Sequence, residues 1–426
     1  MNHPTISSQP QQILKRTVLD NGITLIHHFN PTADIISARF FLKAGSRWEP
    51  KEKSGMAYLM ATVLTKGTSR LTSAQIADLV ESVGAHLGAD AAADYFVLSL
   101  KTVSADFPSL LDLTGEIMRY PSFPEAEVDL ERRLTVQSIR SGQEQPFNIA
   151  FKQLRGAMYQ EHPYGVSVLG TEETVSGLTR EDLEQFHRTY FRPDNLIISL
   201  AGRLSHEAAL ELVEPVFGDW EAPATPIPTS KLPLITSQPS SITTAQDTQQ
   251  SIVMLGYWAA AVHDEDYLAL KLINTYLGNG LSSRLFVELR EKRGLAYDVS
   301  AIYPTRLDPA QFIVYMGTAP ENTAIAQAGL RTEVERLCDI ILSPEELQVA
   351  KNKLLGQYTL GKQTNSEIAQ IFGWYELLGL GVDFDYKFPQ AIAKVTPEAV
   401  QRAALRYFSQ SPYISLVGPA AEIGIN

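Results

Sequence analysis

A single cysteine, Cys338, stands in 426 residues. One thiol rules out an intrachain disulfide, and a reducing compartment is the simplest setting for such a chain. Cys338 falls in the apolar helical run 335–342, where it reads as a small buried hydrophobe. No stretch approaches the ~20 consecutive apolar residues of a membrane span. The opening residues, MNHPTISSQPQQ, are polar and lack the apolar core of a secretory signal. These absences together predict a cytoplasmic chain with no membrane span. Positive charge is short as well: 36 Lys and Arg face 48 Asp and Glu, for a formal net charge of -12. That balance excludes a nucleic-acid binder that works by neutralising phosphates. It suits a basic peptide or a basic partner.

Several chemical signatures are missing too. There is no Gly-x-x-x-x-Gly-Lys loop to cradle phosphate and no serine elbow. The eight histidines are His3, His27, His28, His86, His162, His187, His206 and His263. None pairs with another at helix spacing, and His27 and His28, adjacent in a strand-like run, point to opposite faces. His162, in His-Pro-Tyr-Gly, reads as a residue that orders a loop.

What the chain does have is a repeat. LTREDLEQFHRTYF ends at Phe191 and VTPEAVQRAALRYF ends at Phe408. PEAEVDLERRL starts at Pro124 and PEELQVAKNKL at Pro344. The offsets are 217 and 220, so about half the chain is duplicated. Thr179 and Thr396 are expected N-caps, the second followed by Pro397 at the first helical position. Strand-like runs follow each helix, from Asn195 and from Tyr413, and others lie at 23–29, 35–44, 95–102, 252–258 and 312–317. Longer helical patterns fill the gaps.

The expected fold is therefore α+β. Two homologous domains each carry a mostly antiparallel sheet with helices packed on one face. The Pro-, Thr- and Ser-rich stretch 221–251 reads as an extended linker between an N-terminal domain, 1–220, and a C-terminal domain, 252–426.

One segment raises a chemical question. GSRWEPKEKSGMAYLMATVLTKGT, residues 45–68, resembles the metal-binding frame of the pitrilysin/insulinase family of zinc peptidases. There a helix carries His-x-x-Glu-His after Gly-[Leu/Met]-Ala and before Lys-Gly-Thr. On this chain the first His falls on Tyr58, the Glu on Ala61 and the second His on Thr62. The third ligand, a glutamate on a later segment, falls on Ser138. Neutral hydroxyls are poor zinc ligands, and alanine accepts no proton. All four chemical positions are vacant, so no metal cofactor is expected in this chain.

The resemblance extends over most of the sequence. EHPYGVSVLGTEETVSGLTREDLEQFHRTYFRPDNLIISLAG (161–202) is similar to the end of the family's first half, and LSSRLFVELREKRGLAYDVSA (281–301) to its second-half signature. It implies that Arg290 and Tyr297, seven apart, reach across to a metal-bearing half and steady charge on a scissile carbonyl. Arg293 lies close enough to share that role, and the glycine-containing turn 277–283 reads as a helix connection rather than a substrate-sensing loop.

In small bacterial members the metal site and this pair sit on different subunits. The resemblance thus implies a noncatalytic subunit that closes a substrate chamber, inactive alone and active with a paralogous zinc-bearing partner. Its substrate would be an extended peptide, and the acidic charge balance suits a basic one. The alternatives are a noncatalytic scaffold, as in core subunits of respiratory complexes, and a peptide-binding homodimer.

Overall fold

The computed structural model describes residues 13–229 and 232–423. Packing divides them into two units that interleave along the chain. One unit takes residues 13–136, 168–229 and 361–384; the other takes 137–167, 232–360 and 385–423. The boundaries expected at 220 and 252 follow sequence order, whereas packing exchanges one segment of each half.

The first unit is built on six strands: β1 (Leu14–Val18), β2 (Thr24–Phe29), β3 (Ile35–Leu42), β4 (His86–Ala91), β5 (Phe96–Val103) and β6 (Leu196–Gly202). Their spatial order is β1-β2-β6-β3-β5-β4, and only the β2–β6 pair is parallel. Successive side chains of a strand point to opposite faces, and β3 shows what each face meets. Phe40 stacks toward Phe217 of the helix His206–Phe217, at 5.9 Å between ring centroids. Phe41 turns the other way, against Gly373 of the helix Asn365–Leu377, where a Cβ would come within 2.4 Å of its ring. Both phenylalanines are fully buried, and each such burial contributes about 1.5–3 kcal/mol. One face thus carries the unit's own helices. The other receives a helix from the far end of the sequence.

The second unit repeats the plan. Its strands are β7 (Ser241–Ala245), β8 (Ser251–Ala259), β9 (Asp298–Ile302), β10 (Ala310–Thr318) and β11 (Tyr413–Gly418), in the order β7-β11-β8-β10-β9. Only β7–β11 is parallel. Tyr257 of β8 meets Phe408 of the helix Pro397–Phe408. Its neighbours Gly256 and Trp258 face the helix Pro146–Tyr159, through Leu154, Met158 and Tyr159. β7 lies inside the stretch expected to be an extended linker; residues 221–229 and 232–240 before it have no regular structure apart from a bend.

The duplicated helix ends are built as their sequences predict. The Thr179 hydroxyl accepts from the Asp182 N–H at 3.3 Å, and Thr396 accepts from the Ala399 N–H at 3.2 Å. β6 and β11 follow these two helices at matching positions in the interior of each sheet. Cys338 departs from expectation. Its helix ends at Asp339, and its thiol is half-buried, 3.4 Å from the Ala404 carbonyl oxygen. Burial raises its pKa.

Candidate functional site

The helix Met56–Val63 starts on Gly55 in the left-handed region, φ +97°. A side chain there would be strained and would also strike the Leu169 carbonyl oxygen and Val175. The buried Glu49 finishes the N-terminus, taking the Gly55 N–H at 2.9 Å and the Ala57 N–H at 2.5 Å. A carboxylate at a helix start is favoured by the exposed N–H groups and the helix dipole. Full desolvation nevertheless outweighs these bonds and pushes Glu49 up to about 7. The expectations drawn from composition and motifs missed this cap. Its signal is the acid six residues ahead of Gly55 in the same frame.

The helix packs against β4, an edge strand of its sheet, and Ala57, Met60 and Ala61 are among its buried residues. Tyr58 and Thr62, four apart, share one half-buried face. The Thr62 hydroxyl is occupied, donating to the Leu59 carbonyl at 2.9 Å. Ala61 is 4 % exposed, so its methyl sits in the packing rather than in a site. Ser138 is exposed on the helix Glu125–Gly142, past the point where the chain leaves the first packing unit. The residues at these four positions do not fit a zinc ion, since none offers an imidazole, thiolate or carboxylate. Among the described residues, no three His, Cys, Asp or Glu side chains are grouped to share a metal.

Arg290 and Tyr297 lie in the second unit, at the two ends of one turn. The segment Phe286–Glu291 is π-helical, closed by the Lys292 N–H on the Val287 carbonyl. Single π turns recur at functional sites because they displace side chains from the regular helical face. Leu285, Leu289 and Leu295 are buried and anchor the segment. The Gly294 N–H bonds to the Arg290 carbonyl and the Leu295 N–H to Leu289, with Gly294 at φ +65°. The chain then enters β9, the edge strand, with the Tyr297 N–H on the Gly317 carbonyl at 2.9 Å.

The side chains are left outward. Tyr297 is 59 % exposed, and Arg290 is exposed with its guanidinium 4.9 Å from the Phe286 ring centroid. Arg290 has no ion pair among the described residues. Arg293 differs, because it pairs at 3.6 Å with the buried Glu333, which also receives Arg284 at 2.8 Å. Ahead of this segment, the Ser283 N–H closes on the Gly280 carbonyl at 3.0 Å in the turn 277–283. His162 orders a loop: its Nδ1 accepts from the Tyr164 N–H at 3.2 Å.

Comparison with known proteins assigns the family. Residues 25–172 match the model of insulinase, peptidase family M16, and residues 177–354 match that of the peptidase M16 inactive domain. The chain belongs to peptidase family M16. An uncharacterized zinc protease of Streptomyces coelicolor is 28% identical to the M16 chain over 412 residues, covering 95% of this chain and 90% of that one. An uncharacterized zinc protease of Bacillus subtilis is 26% identical, covering 96% and 100%.

In structure, the M16 chain is similar to a peptidase M16 inactive domain from Pseudomonas fluorescens, with TM-score 0.88 and 24% identity over 95% of this chain and 98% of that one. A protease from Helicobacter pylori gives TM-score 0.89 at 23% identity, covering 95% and 99%. The fold is that of the family, and the positions to which the resemblance assigns its zinc ligands and base carry Tyr58, Ala61, Thr62 and Ser138.

Proposed function

We propose that this M16 chain is the noncatalytic subunit of a two-chain zinc peptidase, with the metal and the general base held by a paralogous partner. The observation that carries this reading is the contrast between Tyr58, Ala61 and Thr62, which offer no ligand, and Arg290 and Tyr297, which stand exposed on an ordered turn. Attack of water on a peptide carbonyl creates an oxyanion. A guanidinium and a phenol held at that oxygen stabilise it more than they stabilise the ground state. This chain supplies both groups, closes the substrate chamber and binds no zinc of its own.

Substrate peptide adds as a strand to an open sheet edge. β4, beside the helix Met56–Val63, is such an edge, and main-chain pairing there would hold an extended peptide with little demand on its sequence. The net charge of -12 favours basic peptides, such as targeting sequences, by electrostatic steering.

The test is reconstitution. The chain alone should leave a quenched peptide intact. Adding a zinc-bearing paralogue from the same cell should give turnover above that of the paralogue alone. Absence of any gain with every such paralogue, with the chain recovered only in a membrane complex or only as copies of itself, would support the scaffold or homodimer reading instead.

A further inference from the structure

On one face of the first sheet two imidazoles stand together. The β1–β2 register sets Lys15 opposite His27, and His206 opens the helix His206–Phe217 above them. The two rings have centroids 5.7 Å apart and planes tilted by 52°. His27 is 2 % exposed, and its Nε2 has no hydrogen-bond partner among the described residues. The Leu204 backbone lies where it favours the protonated ring. His206 uses its Nε2 on the Thr17 hydroxyl at 2.9 Å, and its buried Nδ1 is likewise without a partner.

Each ring therefore has one buried nitrogen left over, and His206 has its other nitrogen fixed by the Thr17 hydroxyl. That is how metal-ligating histidines are usually held, with the second nitrogen setting the tautomer. His28 takes no part, since it stacks on Phe372, which packs from the opposite side of the sheet. The separation is also informative. A direct N–H···N bond of about 2.9 Å brings imidazole centroids to about 5 Å. Two nitrogens sharing one ion, each at about 2 Å, place them about 6 Å apart.

We propose that His27 and His206 form a two-imidazole site for a soft monovalent metal ion of the copper(I) class. Copper accepts imidazole ligands, and a monovalent d¹⁰ ion is content with two of them in a near-linear arrangement. The surroundings favour one charge over two. Lys15 lies beside the pair, its own charge shared with Glu207 at 2.8 Å, and His27 is desolvated by burial. Desolvation lowers the pKa of both histidines, His27 to about 4, which keeps the lone pairs free of protons at neutral pH. No electron transfer is involved; the ion is bound and held.

The test uses the full chain and copper(I), maintained by a reductant and buffered with a colorimetric copper(I) chelator. Wild type should withdraw about one equivalent from the chelator. His206→Ala, at a half-buried first-turn position that leaves the sheet intact, should weaken that binding at least 100-fold, and His27→Phe should do the same. Cys338→Ser should leave it unchanged, which separates the site from the lone thiol. No withdrawal by wild type, retention of the ion by His206→Ala, or its loss in Cys338→Ser would each overturn the proposal.

Discussion

The helix Met56–Val63 and the turn from Phe286 to Tyr297 occupy related duplicated units, yet their side chains diverge in opposite ways. Around the helix, every feature that serves packing is in place: Gly55 at positive φ, the Glu49 cap, and buried Ala57, Leu59 and Met60. The half-buried face that would meet a metal carries Tyr58 and Thr62. At the turn, packing is supplied by Leu285, Leu289 and Leu295, and the exposed positions carry Arg290 and Tyr297, in the pattern the family resemblance implies. Packing explains the leucines and the glycine. It does not explain a phenol that is 59 % exposed or a guanidinium without an ion pair among the described residues.

The comparison breaks most readily at Arg290 and Tyr297. In a reconstituted pair, Arg290→Ala or Tyr297→Phe should lower turnover by roughly 10²–10³, the usual consequence of losing an oxyanion donor. Full activity in both variants, measured as initial rates of peptide cleavage, would reduce the turn to a surface feature. Next in size is the packing side of the helix Met56–Val63. Gly55→Ala should destabilise the chain by about 3 kcal/mol, from strain at positive φ added to the collision with Leu169, as read by chemical denaturation.

A smaller effect belongs to Glu49. Its folded pKa, about 7, lies above the ordinary carboxylate value, so the protonated form suits the fold. Its contribution is fully present below about pH 4.5 and is lost as pH rises through 7, by something of the order of 1–3 kcal/mol. Glu49→Gln should flatten that part of the stability profile between pH 5 and 8. An unchanged slope would show that the buried carboxyl does not titrate there. The smallest effect sharpens the choice of arginine. Arg293 is held by Glu333, so Arg293→Ala should change turnover in the reconstituted pair by less than about threefold. A loss equal to that of Arg290→Ala would move the role to Arg293.

Much of this architecture was legible in the chain because its central strands are apolar runs and its duplicated helices carry explicit caps. The runs 35–44 and 252–258 became β3 and β8 with shifts of a residue or two at their ends. The edge strands were not legible. β4 reads HLGADA and β7 reads SITTA; neither is long or apolar enough to stand out, because an edge strand, with a neighbour on one side only, buries little.

The exchange of Pro146–Tyr159 and Asn365–Leu377 between the halves was also invisible. A helix's apolar stripe announces that it is covered without naming the sheet that covers it. Gly256 and Gly373 hold the missing information, since each admits the crossing helix where a larger residue would collide. At the candidate site, Tyr58, Ala61, Thr62 and Ser138 could be read directly as residue types that offer zinc no ligand. The Glu49 cap and the π turn under Arg290 could not, because both depend on backbone geometry rather than composition.

The central claim is that this M16 chain retains the family's fold without its cation. The most direct measurement is zinc content and peptide hydrolysis on one preparation of the isolated full chain, purified without chelators. The account predicts far less than one zinc per chain and no cleavage of unstructured peptides. One tightly held zinc per chain together with unaided hydrolysis would contradict it.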